Sequence, residues 1–248
     1  MRIAVLADIH ANLHALRAVL DDAWAGKADR VLCAGDLVGY GPFPNESIAL
    51  LREHAVKCVR GDYDAAATSG RSHPQTTVLP PAVAELSYLW TRVHLEARAR
   101  DWLLRLPPHI RLEVGPCRLM IAHGSPRALD EGLGLETGEA LLREITYQTR
   151  ANLVVTGHTH VPSYRVVNAV IFVNAGSVGQ PRDGDPRAAY ALLDIDPVTG
   201  KSQVLIKRVE YDVDAVGHAL DQRGLPAELV DLLRKGLVKP ESWERSPR

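Results

Sequence analysis

Carboxylates and imidazoles occur in this sequence in pairs whose spacing suits metal binding. Asp8 and His10 are separated by one residue, and so are His158 and His160. Alternate residues of an extended chain point to the same side, so each pair can present two ligand atoms on one face. Carboxylates mixed with imidazoles suit manganese, iron, zinc, cobalt or nickel better than calcium or magnesium alone. The two pairs therefore predict a transition-metal site.

Further candidate ligands follow other apolar segments. Asp36 comes directly after a glycine, and His123 directly before one. In the stretch VRGDYDAA, Asp62 and Asp64 could be metal ligands, a helix cap or an ordinary acidic turn. Seven such candidates are too many for one ion and about right for two ions that share a bridging ligand. The candidate set is Asp8, His10, Asp36, Asp62, His123, His158 and His160.

The first segments of the chain predict a parallel sheet that would bring three of these carboxylates together. The predicted elements are strands over 2–8, 30–36 and 56–62, a helix over 12–25 capped by Asn12, and a helix capped by Asn45 that runs to about His54. Strand–helix alternation at this spacing is typical of a parallel α/β sheet, where ligands bind at the carboxyl ends of strands. Asp8, Asp36 and Asp62 end the three strands, so we expect them at one edge.

The rest of the chain predicts a helical insertion followed by a second sheet. Residues 65–108 contain an amphipathic stretch of two helices, which would serve either as a packing or dimerisation element or as a substrate cap. Short strands joined by tight turns follow, with a helix near 139–149 and helices after Asp212. Two sheets packed face to face, with helices outside, give a four-layer α/β/β/α sandwich.

Size and charge restrict the classes of partner. The chain has 248 residues, 46% of them hydrophobic, which is enough for one large core with a modest insertion. The formal net charge of -1 favours neither nucleic acid nor an anionic membrane surface. We find no signal peptide and no apolar run long enough to cross a bilayer. Three cysteines without CxxC spacing indicate buried free thiols, and we expect a cytoplasmic location.

The ordered motifs DIH, GD, GDYD, AHG and GHTH resemble those of the calcineurin-like metallophosphoesterases over nearly the whole chain. Within that superfamily, GDLVGYGPFPNE and VNAGSVGQPR are similar to the small bacterial phosphodiesterases and phosphatases. The resemblance implies a metal-dependent enzyme that hydrolyses a phosphodiester or a nucleotide-like phosphate ester. It also implies two divalent ions, with manganese favoured and iron, zinc, cobalt or nickel as alternatives.

The resemblance also implies a role for each candidate ligand. Asp8, His10 and His160 would hold one ion, while His123, His158 and Asp62 would hold the other. Asp36 would bridge the two ions, and a hydroxide between them would attack phosphorus in line. The implied catalytic residues are Asp36, Asp62, Tyr63 and His123. Tyr40, Arg182 and Asn174 lie in loops that could line the site, although a structural turn role is equally open for each.

The chain departs from the family pattern after its third strand. The family has an asparagine there, often followed by a histidine and an acid, whereas this chain has Asp62, Tyr63 and Asp64. A carboxylate at 62 can still bind the second ion and adds a negative charge. Tyr63 cannot act as an imidazolium that protonates a leaving group, so the acid step is the part of the chemistry in question.

Two rival functions differ in what they require of the sequence. The fold also serves as a non-catalytic scaffold in vesicle-coat assemblies, but loss of metal ligands would mark that case, and here every ligand position is filled. A metallo-hydrolase of another class would show an HxHxDH-type cluster, which is absent. The expected partner is a small phosphate ester, and a homo-oligomer could form through the helices of 65–108.

Overall fold

The computed structural model describes residues 1–70 and 79–236, and its strands form two sheets. In chain order the elements are β1 (Arg2–Leu6), α1 (Leu13–Ala25), β2 (Arg30–Cys33), α2 (Pro44–Glu53), β3 (Lys57–Cys58), α3 (Asp62–Ser69), α4 (Pro81–His94), α5 (Ala97–Leu104), β4 (His109–Val114), β5 (Cys117–Ala122), α6 (Glu139–Thr149), β6 (Leu153–Thr156), β7 (Ser163–Val167), β8 (Val170–Asn174), β9 (Ala188–Ile195), β10 (Ser202–Val209), α7 (Val213–Gln222) and α8 (Glu228–Lys235).

Both sheets have five strands and mixed directions. The first has the order β10-β9-β1-β2-β3, in which β1, β2 and β3 are parallel and β9 runs antiparallel to β1. The second has the order β4-β5-β6-β8-β7, with β5, β6 and β8 parallel and an antiparallel strand at each edge. The expected parallel sheet at the start of the chain and the mixed second half are confirmed.

The hydrophobic core lies in three layers that separate the sheets from each other and from the helices. Ile3 and Val5 of β1 pack between the sheets against the second sheet, for example against Ile121. Ala4 and Leu6, on the other face of β1, pack against α1. The outer face of the second sheet packs against α6. A strand that is buried on both faces has a continuous apolar sequence, as β1 does. The packing of helices on the outer faces of two packed sheets confirms the four-layer α/β/β/α prediction.

Several predicted element boundaries were wrong. Strands β1 and β2 end at Leu6 and Cys33, so Asp8 and Asp36 follow their strands and do not end them. The third strand was expected over 56–62, but β3 comprises only Lys57–Cys58, and Asp62 is the first residue of α3. The helix expected to be capped by Asn45 begins at Pro44, a residue well suited to the first helical turn because it lacks an N–H. The Asn45 side chain instead donates to the carbonyl of His94 and accepts from the amide of Glu96.

The helices predicted in residues 65–108 are confirmed as α4 and α5, while residues 71–78 of that segment lie outside the described residues. Leu103 of α5 is buried in the core beside the first sheet. Val83 and Ala84 of α4 pack with α7, α8, Tyr40 and Tyr63 in a separate apolar cluster. In the part of the chain that the structure describes, no helix is long and apolar enough to span a membrane.

Candidate metal centre

The seven predicted ligands converge on one edge of the sandwich. Six lie in loops that follow strand ends, and Asp62 begins α3. They form three groups of three residues, and within each group the ligand atoms lie within 4.8 Å of one another. The groups are Asp8, His10 and His160; Asp8, Asp36 and His123; and Asp62, His123 and His158. Each group mixes carboxylate oxygen with imidazole nitrogen, the donor set expected for a transition metal.

Asp36 lies between the two outer groups. One of its carboxylate oxygens is 3.5 Å from His10 Nε2, and the other is 3.5 Å from His123 Nε2. The amide of Tyr63 donates to the Asp36 carboxylate at 2.9 Å and fixes its orientation. Gly61 allows this placement, since a Cβ atom there would collide with that carboxylate. Asp36 can therefore reach both groups.

His10 and His160 face each other through nitrogen lone pairs. The Nδ1 atom of His10 contacts the carbonyl of Val38 at 3.1 Å, and Nδ1 of His160 contacts the carbonyl of Gln180 at 2.6 Å. A carbonyl only accepts, so each Nδ1 carries the proton and each Nε2 is unprotonated in the neutral ring. The two Nε2 atoms are 3.0 Å apart.

Burial keeps both of these imidazoles neutral. It lowers the pKa of His10 to about 3 and that of His160 well below its usual value, and the positive charge of Arg182 acts in the same direction. Two lone pairs that face each other at this distance repel unless a cation lies between them. The donor set therefore fits a bound metal ion, and the backbone carbonyls behind the rings fix the tautomer that binds it.

The carboxylates around this point are crowded and buried. Burial raises the pKa of Asp8 to about 6, while burial and then the neighbouring Asp62 charge raise the pKa of Asp36 well above its usual range. Burial alone would lower the pKa of His123, but the Asp62 hydrogen bond and the charges of Asp8 and Asp62 raise it to about 9. The neighbouring carboxylates therefore favour a positive charge at the position of His123.

Most of the ligand residues have a backbone conformation that non-glycine residues rarely adopt. The φ values are positive at Asp8 (52°), His10 (47°), Asp36 (54°), His158 (69°) and His160 (59°). A left-handed conformation costs a non-glycine residue roughly 1–2 kcal/mol. Such strain clusters at functional sites, where the surrounding structure holds it in place.

Two positioning features of the site were not recognised as such from the sequence. The Asp64 carboxylate, for which a metal ligand, a helix cap and an acidic turn were all open, accepts from the amides of Gly61, Leu37 and Val38, so it joins the loop of Asp36 to the start of α3 at Asp62. The segment 175–182 is the second feature, and it holds the loop that contains Asp8. In that segment Ser177 Oγ donates to the carbonyl of Asp8 at 2.7 Å. The motif VNAGSVGQPR, noted for its resemblance alone, was the available signal for this segment.

Tyr40, Tyr63 and Arg182 lie together beside His10. The rings of Tyr40 and Tyr63 meet the His10 ring edge-on, with centroids 4.8 and 5.4 Å away. The two phenol hydroxyls are hydrogen-bonded to each other, and the Arg182 guanidinium lies 5.9 Å from the centre of the Tyr40 ring. Asn174, the third loop residue considered, instead donates to backbone carbonyls, including that of Leu133.

The two outer groups differ in their exposure to solvent. Asp8, His10 and His160 are buried, with at most 2% of each residue exposed. The side chains of Asp62 and His158 are 12% and 25% exposed. The group that contains Asp62 therefore faces the solvent, and a ligand from solution meets it first.

The fold and this cluster define a class. Two packed mixed sheets with carboxylates and imidazoles at their strand ends are the architecture of metal-dependent phosphoric ester hydrolases. The chain belongs to the calcineurin-like phosphoesterase superfamily, whose domain model matches residues 1–197. The family resemblance drawn from the motifs is thereby confirmed.

Individual relatives agree with this assignment. A solved metallophosphoesterase from Sphaerobacter thermophilus is 33% identical, with a TM-score of 0.75 over 96% of this chain and 99% of that one. The uncharacterized protein MJ0912 of Methanocaldococcus jannaschii is 29% identical over 94% of this chain and 98% of its own length. The phosphodiesterase YfcE of Escherichia coli is 26% identical over 79% of this chain and 89% of its own length.

Proposed function

We propose that this protein is a dinuclear metal-dependent phosphoesterase that hydrolyses a phosphodiester or a nucleotide-like phosphate ester. The facing lone pairs of His10 and His160 are the observation that carries the proposal, because a metal ion bound by both nitrogens relieves their repulsion. The position of Asp36 between two ligand groups supports a pair of ions over a single one.

Each ligand has a defined task in this proposal. Asp8, His10 and His160 hold the buried ion, and Asp62, His123 and His158 hold the solvent-facing one, with Asp36 shared between them. Two divalent ions in these positions would supply a water acidified to near-neutral pKa and a positive clamp for the phosphoryl oxygens. Manganese is the favoured ion, with iron, zinc, cobalt and nickel as alternatives.

The protein's own residues orient the substrate and control its protons. The ester enters from the side of Asp62 and His158, where the site meets solvent. His123 belongs to the solvent-facing group, and its Nδ1 atom is 2.9 Å from the carbonyl of Ala34, so its Nε2 atom faces Asp36 at 3.5 Å. The phenol of Tyr63 is turned toward Tyr40, so it is a poor proton donor to a leaving group.

Metal content and activity should be measured together on the same protein. The protein would be stripped with chelator, reloaded with each metal, and tested on bis(p-nitrophenyl) phosphate, p-nitrophenyl phosphate and nucleotides. We expect two ions per chain and metal-dependent hydrolysis. His10→Ala should remove one ion and most activity, while His54→Ala, an exposed control, should change neither.

Other outcomes have clear meanings. One ion per chain, or none after loading, would refute the dinuclear site. Two ions with no hydrolysis of any ester would favour the scaffold alternative. The three cysteines are free and buried, which supports the cytoplasmic location as a further part of this proposal.

We also propose that residues 65–108 are an insertion within one phosphoesterase domain, and that α4 pairs with a second copy of this chain. Leu86, Leu89 and Val93 recur at helical spacing on α4 and are 58%, 44% and 79% exposed. Leu86→Glu with Val93→Glu should convert a dimer to a monomer in light scattering, whereas Val198→Glu, in an exposed turn, should not. A wild-type monomer would refute the pairing.

A further inference from the structure

We propose that Arg182 binds a second anionic group of the substrate, next to the reacting phosphate, so that the preferred substrate carries a phosphoanhydride or an equivalent second phosphate. This inference rests on the proposed function and narrows its substrate class. It follows from the position of the Arg182 charge, from its lack of an ionic partner and from the way its side chain is held.

The Arg182 charge lies beside the buried ligand group. Its amide donates to the carbonyl of His160 at 3.2 Å, and its guanidinium lies over the ring of Tyr40, which in turn contacts His10. The charge is close enough to act electrostatically on Asp8, His10 and His160. A fixed positive charge here disfavours metal binding, so a purely structural side chain at this position would cost the site affinity.

No carboxylate of the described residues forms an ion pair with this guanidinium. The neighbouring acids, Asp183 and Asp185, pair with Arg208 instead. The Nε atom of Arg182 is buried, and it has no hydrogen-bond partner among residues 1–70 and 79–236. A guanidinium without an ionic partner is costly, and an anion beside it would compensate its charge. The substrate is the anion that this site is built to receive.

The side chain is also held in place before any ligand arrives. The Nη2 atom of Arg182 donates to Gln180 Oε1 at 2.7 Å. Gln180 is itself buried, and its backbone carbonyl accepts a hydrogen bond from Nδ1 of His160. The ring of Tyr40 supports the guanidinium from another side. Pre-organisation of this kind lowers the entropy cost of binding, as expected for a recognition residue.

The position of Arg182 favours substrates that carry a second negatively charged phosphate. Two ions held by the ligand groups would neutralise the reacting phosphate, so a simple diester offers nothing further for Arg182. A phosphate adjacent to the reacting one, on the side of the buried group, would meet the guanidinium, and charge-assisted hydrogen bonds to phosphate are stronger than those between neutral groups. Such charge-assisted contacts change affinity by roughly 10- to 100-fold.

The test compares Arg182→Ala, Arg182→Lys and wild type, all loaded with Mn²⁺. We expect the ratio of kcat/KM for ADP to that for bis(p-nitrophenyl) phosphate to fall at least about tenfold in Arg182→Ala, mainly through KM. Arg182→Lys should recover part of the ratio. Arg52→Ala, on the exposed surface of α2, should leave it unchanged.

Equilibrium binding provides a readout that does not need turnover. The Kd of α,β-methylene-ADP, measured by calorimetry, should rise at least about tenfold in Arg182→Ala, and the affinity for Mn²⁺ should stay equal or increase. An unchanged Kd, or a loss of Mn²⁺ together with equal losses on all substrates, would overturn the proposal. If wild type binds the analogue through Arg182 but hydrolyses no ester, the proposed function fails and this inference stands.

Discussion

The backbone amide of Tyr63 donates a hydrogen bond of 2.9 Å to the carboxylate of Asp36. The same amide is 2.9 Å from Asp62 Oδ1, so one N–H orients two candidate ligands. This contact does not depend on the side chain at position 63. The side chain can therefore be replaced to test its chemistry while the ligand geometry is retained.

We predict that the reaction rate depends steeply on the pKa of the leaving group. Burial, together with the hydroxyl and charge of Tyr40, raises the pKa of Tyr63 well above its usual value, so the phenol cannot supply a proton at neutral pH. General acid catalysis is worth about 10²–10⁴-fold, and its absence is felt most with poor leaving groups. Aryl esters, anhydrides and cyclic diesters should react far faster than alkyl phosphates.

Tyr63→His should flatten that dependence, mainly by accelerating the alkyl esters. The measurement is a series of phosphate esters graded by leaving-group pKa, run on wild type, Tyr63→His and Tyr63→Phe. Tyr63→Phe should retain the steep slope because it lacks only the hydroxyl. Equal, shallow slopes in all three proteins would show that another acid, for example a histidine of residues 65–108, protonates the leaving group.

We predict that Asp62→Asn shifts the pH optimum downward or changes the metal preference, while both ions still bind. Three carboxylates against two divalent ions would leave a net charge of +1 (4 − 3), and an asparagine at 62 would leave +2 (4 − 2). A more positive site acidifies its water further. Elemental analysis and a pH–rate profile test this, and an unchanged profile with unchanged metal content would contradict it.

We predict that Mn²⁺ raises the melting temperature by about 5–10 °C, since a ligand at 100 times its Kd stabilises the folded state by about 2.7 kcal/mol. In the metal-free protein the pKa of His123 is raised to about 9 and that of Asp8 to about 6. Both groups hold protons more tightly when folded, so their stabilising contribution is lost as pH rises through those values. Metal replaces these protons.

The increase in melting temperature caused by Mn²⁺ should therefore be larger at pH 8 than at pH 6, because the metal-free protein loses stability between these two pH values. Differential scanning calorimetry with Mn²⁺ or with chelator at both pH values provides the measurement. A gain that is the same at both pH values, or larger at pH 6, would show that proton release from these groups is not linked to metal binding.

We predict that Asp64→Ala is strongly destabilising. Its buried carboxylate accepts from three amides, and each buried donor left unpaired costs roughly 1–3 kcal/mol. Asp196 is a matched control, since it accepts from the amides of Val198 and Thr199 but is exposed. Urea unfolding should show that Asp196→Ala lowers the free energy of unfolding by only about 1 kcal/mol or less. Comparable losses in both variants would show that Asp64 is an ordinary cap.

The sequence by itself determined the sandwich and the identity of the candidate ligands. Strand β1 is buried on both faces, so its apolar run is visible without knowledge of its neighbours. Asp8 and His10 follow it, but both have positive φ values, so their residue types and position after the strand identified them and not the extended geometry expected for them. Local pattern was sufficient here, because strand ends in a parallel sheet meet at one edge whatever the loops do.

Tertiary structure decided the features that depend on contacts distant in sequence. Asp64 reads as a cap, but its carboxylate also reaches Leu37 and Val38 across the sheet edge. Asn45 reads as a cap too, but it binds α4 and the following turn, because Pro44 already begins the helix. Tyr40 and Tyr63 pack in one apolar cluster with α7 and α8, so the orientation of Tyr63 toward Tyr40 and His10 depends on helices distant in sequence. Hydrogen-bond partners brought together by folding, and not the local propensity of the chain, set these positions.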